Sequence, residues 1–424
     1  MTKFKVIVFL HVLIFALNCK GQTSNIWPFG YKSALVFQPS GITLLGKSSI
    51  TRCGMDSNNY SSVSSVYGDC KGKVVLYAND GGIWNGSNSI VEGGEQIGNC
   101  GSFEYGTKAA LIIPNPKKSN IYYLFYTGIA PSPNRNRLMM AYIDMAQNAG
   151  RGKVLFKDSL FAGELPASRN LTYAYHKNGR DIWLVTTPDE SHVHAYLIDS
   201  LGLNTTPIIS NVFNEMARFP APNGYLYSDT NNNDAFGAGI VFSKDQKNLI
   251  TYGVFKKTIS LGNVLMYDFN DSTGKFTFNK TLFTHSQKPA NTFCSAACFS
   301  PNDSILYVYF AANDLILGYY SYLMAVNRYT SVKTQIRRFP FNFKGKSVVS
   351  YHNWMTNLTL APDNRIYSFM AQDIWRIEKP NVWGPGCMYR YWDSSKTQIG
   401  ATEGLPRIYG NIKSTYFEFF SFQK

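Results

Sequence analysis

The chain has 424 residues, 45% hydrophobic and 15% aromatic but only 16% charged, with Lys plus Arg 41 against Asp plus Glu 27. That aromatic load is far too high for a disordered chain, and Gly 34 with Pro 18 favours many short elements over long helices. Coiled coil, collagen, polyelectrolyte tail and polytopic membrane protein are excluded, and the length suits one large domain or a few ordinary ones.

Residues 1–21 read as an export signal. Lys3 and Lys5 give a charged start, and Val6 to Leu17 is a 12-residue apolar stretch interrupted by His11. Such a run suits a signal-peptide core and falls short of the ~20 residues that span a bilayer. Cleavage after Gly21 leaves Gln22 as the new N-terminus, with Cys19 and Gly21 as the small residues before the cut. The competing end is a lipid anchor at Cys19, against which Asn18 stands where a small residue is expected. No later stretch approaches transmembrane length, so residues 22–424 are expected to form one domain without a transmembrane segment.

One hairpin then recurs along the chain: a short apolar strand, a polar turn, and a strand rich in aromatic and β-branched residues. Ala34 to Phe37 runs into the turn Gln38 to Gly41, and Gly68 to Gly72 precedes Lys73 to Ala78. Ala109 to Ile113 precedes Pro114 to Asn120 and the strand Ile121 to Thr127. Leu171 to Tyr175 precedes the turn His176 to Arg180 and the strand Asp181 to Thr186, and Gly239 to Phe242 precedes Ser243 to Lys247 and Asn248 to Phe255. Two later copies turn more sharply. Ser300-Pro301-Asn302-Asp303 joins Ala296–Phe299 to Ser304–Phe310, and Ala361-Pro362-Asp363-Asn364 joins Leu358–Leu360 to Arg365–Met370. Pro followed by Asn or Asp is type I turn chemistry, because Pro presets φ and the short polar side chain satisfies nearby backbone.

Taking Val74, Ile121, Ile182, Leu249, Ile305 and Ile366 as equivalent positions gives spacings of 47, 61, 67, 56 and 61 residues. Further strand-like runs lie between the hairpins at Leu138–Ile143, Val193–Ile198, Val264–Phe269 and Tyr319–Val326, so each unit has room for about four strands. The expected fold is therefore all-β: a β-propeller of about seven blades, each of about four antiparallel strands. The aromatic side chains would fill the wedges between blades.

The residues resemble a family, the secreted propeller-type modules of Bacteroidetes that often precede a gliding-motility-associated or type IX secretion sorting domain. The resemblance spans Asn25 to about Phe417. Its marks are Asn25-Ile26-Trp27-Pro28-Phe29-Gly30, Val75-Leu76-Tyr77-Ala78-Asn79-Asp80-Gly81-Gly82-Ile83-Trp84-Asn85 and Ala110 to Pro116 followed by Ile121 to Phe125. Asp144-Met145, His176 to Trp183, Phe299-Ser300-Pro301-Asn302, Leu360-Ala361-Pro362-Asp363 and Gly404-Leu405-Pro406 complete the set. The resemblance implies an exported, cell-envelope or surface protein and a propeller used as a binding or spacer platform, and it carries no catalytic residues. Members commonly continue into a sorting or adhesion domain, whereas the sequence ends at Lys424. A periplasmic or outer-membrane-associated location therefore competes with secretion.

Little reactive chemistry is written in the chain. Beyond Cys19 there are six cysteines, Cys53, Cys70, Cys100, Cys294, Cys298 and Cys387, an even number that permits disulfides in an exported protein. Cys53 and Cys70 are the closest plausible hairpin pair, and Cys294-x-x-x-Cys298 lacks the second ligand pair that a structural metal needs. His192-x-His194 would place two imidazoles on one strand face without an identifiable third ligand. The run Asp229 to Asp234 spaces oxygens like a calcium loop but lacks its glycine and its final acidic residue. No catalytic residue, cofactor or metal site is assigned. The net charge of +14 falls to about +11 when Lys3, Lys5 and Lys20 leave with the signal. Lys117-Lys118, Lys256-Lys257 and Arg337-Arg338 are only pairs, so no nucleic-acid footprint is present. In an envelope protein the excess suits anionic polysaccharide or lipid headgroups. Asp158-Ser159-Leu160, Asp199-Ser200-Leu201, Asp271-Ser272-Thr273 and Asp303-Ser304-Ile305 resemble short Bacteroidetes O-glycosylation sites.

The sequence thus predicts a non-enzymatic binding or scaffold module for a protein or glycan partner, its site at the channel mouth. The alternative is a propeller-channel enzyme, a lactonase-like hydrolase or lyase, which would need a metal held at the axis by side chains from several blades.

Overall fold

A computed structural model of the chain describes residues 24–29, 33–45, 65–69, 71–79, 82–97, 110–129, 136–160, 171–188, 192–211, 239–255, 261–285, 291–314, 318–340, 355–370 and 373–391. The strands follow the hairpin repeat. The first unit holds β1 (Ile26–Phe29), β2 (Ser33–Gln38) and β3 (Gly41–Leu45), and the second β4 (Ser65–Gly68), β5 (Val74–Asn79), β6 (Gly82–Asn85) and β7 (Ile90–Glu95). The third is β8 (Ala110–Pro114), β9 (Ile121–Ile129), β10 (Asn136–Asp144) and β11 (Lys153–Leu160). The fourth is β12 (Leu171–Tyr175), β13 (Ile182–Thr186), β14 (His192–Asp199), β15 (Gly202–Leu203) and β16 (Ile208–Asn211). β17 (Gly239–Phe242), β18 (Asn248–Phe255), β19 (Leu261–Asn270) and β20 (Lys275–His285) make the fifth. The sixth contains β21 (Asn291–Phe299), β22 (Ile305–Asp314), β23 (Gly318–Asn327) and β24 (Lys333–Pro340). β25 (Met355–Leu360), β26 (Ile366–Met370), β27 (Asp373–Ile377) and β28 (Tyr389–Tyr391) form the seventh.

Within each unit neighbouring strands pair antiparallel. The second and third units merge into one eight-stranded sheet through a parallel contact of β7 with β11 at Glu92 and Lys153. The Asn85 side-chain amide donates to the Arg151 carbonyl there at 2.9 Å, and Lys153 pairs with Glu92 at 2.7 Å.

The turns explain why the hairpin could be read from the chain. In five of them the carbonyl of the first residue accepts the amide three residues on: Asp69 from Gly72, His176 from Gly179, Ser243 from Gln246, Ser300 from Asp303 and Ala361 from Asn364, all at 2.8–2.9 Å. That fourth residue is left-handed each time, with φ of 77°, 70°, 57°, 58° and 60°. Glycine takes this conformation freely, while Asn and Asp are eased into it by local side-chain hydrogen bonds.

Burial shows how the sheets stack. Along β22, Ile305, Tyr307 and Tyr309 join one apolar cluster while Leu306, Val308 and Phe310 join another, and all six are 3% exposed or less. Both faces are covered, so the strand reads as a continuous apolar run. Successive clusters join the second and third units, then third and fourth, fourth and fifth, fifth and sixth, and sixth and seventh. The remaining cluster closes the ring, because Trp27, Leu35 and Phe37 of the first unit meet Val66, Tyr77 and Trp84 of the second and Tyr367 of the seventh. Trp27 and Phe37 each meet the Tyr367 ring edge-on, at 6.1 and 5.7 Å. The first strands β4, β8, β12, β17, β21 and β25 pack in succession along the inside. The chain is a β-propeller.

Turns also connect neighbouring units. The Tyr175 amide donates to Gln246 at 2.9 Å, the Lys244 amide to Asp303 at 2.7 Å, and the Asn302 amide to Asn381 at 3.1 Å.

Candidate ligand-binding cleft

The cysteines behave as core residues. Cys294, Cys298 and Cys387 are buried free thiols, so the even cysteine count yields no disulfide among these three. A register shift between Cys294 and Ala296 is the reason Cys294-x-x-x-Cys298 cannot act as a pair. It turns Cys294 into the cluster between the fifth and sixth units and leaves Cys298 in that between the sixth and seventh. Burial pushes the Cys298 thiol up to about 12 and raises that of Cys294 well above its ordinary value, which suppresses thiolate. Alkylation of the native protein with iodoacetamide at pH 8, followed by peptide mapping, is expected to leave all three unmodified until denaturant is added. Cys53, Cys70 and Cys100 lie outside the described residues.

His192 and His194 do share one face of β14, their rings 6.3 Å apart, and His194 Nδ1 lies 3.2 Å from the Tyr196 hydroxyl. Among the described residues no group of three His, Cys, Asp or Glu is placed to hold a metal ion. His176 is a turn residue. Its Nδ1 accepts the Asn178 amide at 3.1 Å, which puts the proton on Nε2, 3.2 Å from the Ser272 carbonyl. The run Asp229 to Asp234 lies outside the described residues, as do the segments 46–64, 98–109, 161–170, 212–238 and 341–354. Among the four glycosylation-like tripeptides, Ser272 is exposed in the turn between β19 and β20, and Leu201, 93% exposed, ends a tripeptide at the tip between β14 and β15. Ser304 instead hydrogen-bonds Asn302 at 2.8 Å beside the buried Asp303.

A cleft of about 360 Å³ opens at the outer rim between the sixth and seventh units, lined by Ile336, Arg337, Pro385, Met388, Tyr389 and Arg390. β24, the last strand of the sixth unit, supplies Arg337. The other wall is the 3-10 turn Gly384–Cys387 running into β28. That turn stops at Met388, held left-handed at φ 58° with its amide on the Pro385 carbonyl at 3.1 Å. A non-glycine residue in this conformation is strained, and such strain often marks a site whose wall shape matters.

One aromatic ring, that of Tyr389, lines the cleft, and others pack behind it. The Arg337 guanidinium lies over the Trp375 ring at 4.7 Å. Trp375 stacks on Tyr389 at 5.3 Å and meets Tyr391 edge-on at 5.6 Å. Tyr389 is anchored by a 3.0 Å hydrogen bond between its hydroxyl and that of Ser368, and burial holds its phenol protonated, with the Arg337 charge acting in the opposite sense. Tyr391 remains 49% exposed.

The opposite face of the last sheet carries like charges side by side. Arg376 and Arg390 are directly opposed across β27 and β28, a like-charge cross-strand pair that costs stability. Glu378 is shared by Arg376 and Arg365. Arg390 makes no ion pair among the described residues. Arg337 stood in the sequence only as half of a basic pair. Arg390 and Trp375 gave no signal at all, since their proximity depends on the register of the last sheet.

No family model matches the chain, and no curated protein matches it. Among solved structures, a Lactobacillus plantarum protein is 12% identical over 83% of this chain and 90% of its own, with a TM-score of 0.41. The β-propeller domain of Myceliophteria thermophila Cps50 (Swd1) is 8% identical over 84% and 95%, also at 0.41. Penicillium chrysogenum α-L-arabinanase complexed with arabinobiose is 9% identical over 64% and 82%, at 0.36. The propeller assignment rests on strand pairing and the closed ring of shared clusters.

Proposed function

We propose that this chain is an exported or cell-envelope β-propeller that works as a non-enzymatic binding or scaffold module, holding a protein or glycan partner at the rim cleft. The observation that carries this reading is the cleft itself. Residues from adjacent units, Ile336 and Arg337 of the sixth and Pro385, Met388, Tyr389 and Arg390 of the seventh, line one opening, and the Arg337 guanidinium lies over the Trp375 ring. Concave sites with an apolar floor and a few polar groups are where ligands bind. The leader-like residues 1–21 and the likeness to secreted Bacteroidetes modules support an envelope location, and among the described residues no helix is long and apolar enough to cross a membrane.

The test is a panel of immobilised glycans and purified envelope proteins, probed with residues 22–424 and with the double variant Arg337→Ala/Arg390→Ala. At least one ligand should retain the parent and release the variant, with thermal melting unchanged. If every ligand retains both proteins equally, the cleft is not the site.

A further inference from the structure

We propose that one face of the propeller docks onto an anionic lipid surface, its apolar turn tips entering the headgroup region and its lysines meeting the lipid charge. Register sets the face. Ile305, which opens β22, stands opposite Asn327 at the end of β23, and Ile366 of β26 stands opposite Ile377 of β27. Ile182 and Ile198 are paired in the same way in the fourth unit. Antiparallel pairing thus sets the turn after each third strand beside the hairpin turn between the first two. These turns interlock from unit to unit. The Lys177 amide donates to the Asp271 carbonyl at 3.3 Å, the Lys244 amide to Asp303 at 2.7 Å, and the Tyr307 hydroxyl to the Pro380 carbonyl at 3.0 Å. The fourth to seventh units therefore present one continuous surface of turns.

Apolar side chains stand at its tips. They are Leu201 after β14, Tyr329 and Val332 after β23, and Val382 and Trp383 after β27, from 39% exposed at Trp383 to 93% at Leu201. The last two turns are neighbours, because a Cβ built on Gly384 would lie 3.9 Å from Thr334 Cγ2. Leu201 stands two units away. A lipid surface meets tips spread in this way all at once, whereas an apolar patch on a protein partner needs them contiguous. Trp and Tyr, moreover, are the side chains that settle at the headgroup level.

The charge on this face is complementary to anionic lipid. Lys177, Lys244, Lys247 and Lys379 are exposed on its turns, and none of the four forms an ion pair among the described residues. Carboxylates beside them are held by arginines instead: Asp181 by Arg180 at 2.8 Å, Asp245 by Arg328 at 3.2 Å, and Asp363 and Glu378 by Arg365 at 3.0 and 2.9 Å. The lysines are left to act outward, and their long stems can lie along the apolar tips while the ammonium groups reach phosphate.

Co-sedimentation of residues 22–424 with vesicles tests the proposal, using phosphatidylcholine alone and phosphatidylcholine mixed with phosphatidylglycerol. Binding to the mixed vesicles should be about tenfold tighter or more, and should weaken as salt is added. Lys247→Ala/Lys379→Ala should weaken it about 30-fold, the effect of two lysines beside such a surface. Tyr329→Ser/Trp383→Ser should weaken it about tenfold through lost apolar burial. Lys157→Ala/Arg338→Ala takes the same charge from positions well along the outer strands β11 and β24, and should change binding less than about twofold. Brominated phosphatidylcholine in the mixed vesicles should quench the tryptophan fluorescence of the parent, and clearly less that of Trp383→Phe. No binding to either vesicle, equal binding to both, or equal losses in the two charge variants overturns the proposal. Binding that ignores the Tyr329 and Trp383 substitutions, or quenching that ignores Trp383→Phe, reduces the effect to attraction for any polyanion and overturns it too. None of the substituted residues lines the rim cleft, so each outcome leaves the reading of that site where it was.

Discussion

Replacing Arg328 with methionine is expected to destabilise the fold by about 3 kcal/mol at neutral pH, a loss typical of leaving one side of a buried ion pair uncompensated. The Arg328 side chain is 7% exposed, and its guanidinium lies 3.2 Å from Asp245 and 3.9 Å from Asp303 while also contacting the side-chain carbonyl oxygen of Asn248. Asp303 in turn accepts the amides of Lys244 and Asp245 at 2.7 and 2.9 Å, so the cluster joins the turns of the fifth and sixth units. Burial raises the Asp303 carboxyl above its ordinary value, and Arg328 is among the groups that hold it down. Burial also works against ionised Asp245, yet the Ser243 hydroxyl, the Lys247 amide and Arg328 together bring it below the ordinary range. The signs follow from linkage. A raised carboxyl gives stability that is present below the unfolded pKa of about 3.9 and lost as pH rises through the folded value. A depressed one gives stability that is present above the unfolded pKa and lost as pH falls through the folded value. Removing Arg328 raises both folded values, so the gap between parent and variant should be widest near pH 7, narrow as pH falls toward about 4, and close only below it, where the depressed Asp245 carboxylate takes up its proton. Urea unfolding of both proteins across that range measures the gap. A gap constant with pH would mean that the Arg328→Met variant is weakened through packing alone.

The turns and inner strands were legible because they obey local rules. Leu171–Tyr175, Gly239–Phe242 and Asn248–Phe255 agree with β12, β17 and β18 to the residue, and Ser300 to Asp303 and Ala361 to Asn364 are turns as their Pro-Asn and Pro-Asp pairs require. The outer strands were not. β7 reads Ile90-Val91-Glu92-Gly93-Gly94-Glu95, with Val91 and Gly94 buried, and most exposed positions of β20 carry Lys, Thr or Asn, Phe278 apart. A strand that covers the rim buries one face only, so its composition approaches that of a loop. The register shift at Cys294 was equally hidden, since nothing in the local sequence marks which strand takes the extra residue. The cleft was the least legible feature. Arg337 and Arg390 are separated by the whole seventh unit, and what brings them together is the stacking of two sheets.

A single methyl group at Gly274 should cost about as much as the loss of Arg328, again about 3 kcal/mol, through backbone conformation and overpacking. Gly274 ends the turn between β19 and β20 at φ +73°, and a Cβ there would lie 2.7–2.9 Å from three atoms of the Trp183 ring in the preceding unit. The ring cannot easily retreat. Its Nε1 donates to the Asp271 carbonyl at 2.7 Å, and its other side belongs to the apolar cluster of the fourth and fifth units. Gly274→Ala therefore has to break that hydrogen bond or open the seam between the two sheets. Gly150 separates the two costs, because it is also left-handed, at φ +80°, and has nothing within 4 Å of the added carbon. Gly150→Ala should lose only about 1 kcal/mol. Denaturant midpoints for the two variants, with the m-value checked for constancy, give the Trp183 contact as the difference. Equal losses would show that the indole yields freely and that the seam is softer than its packing indicates. Adding Trp183→Phe to Gly274→Ala supplies the complementary measurement: it removes the ring that the methyl strikes, so the double variant should be less destabilised than the two single losses sum to.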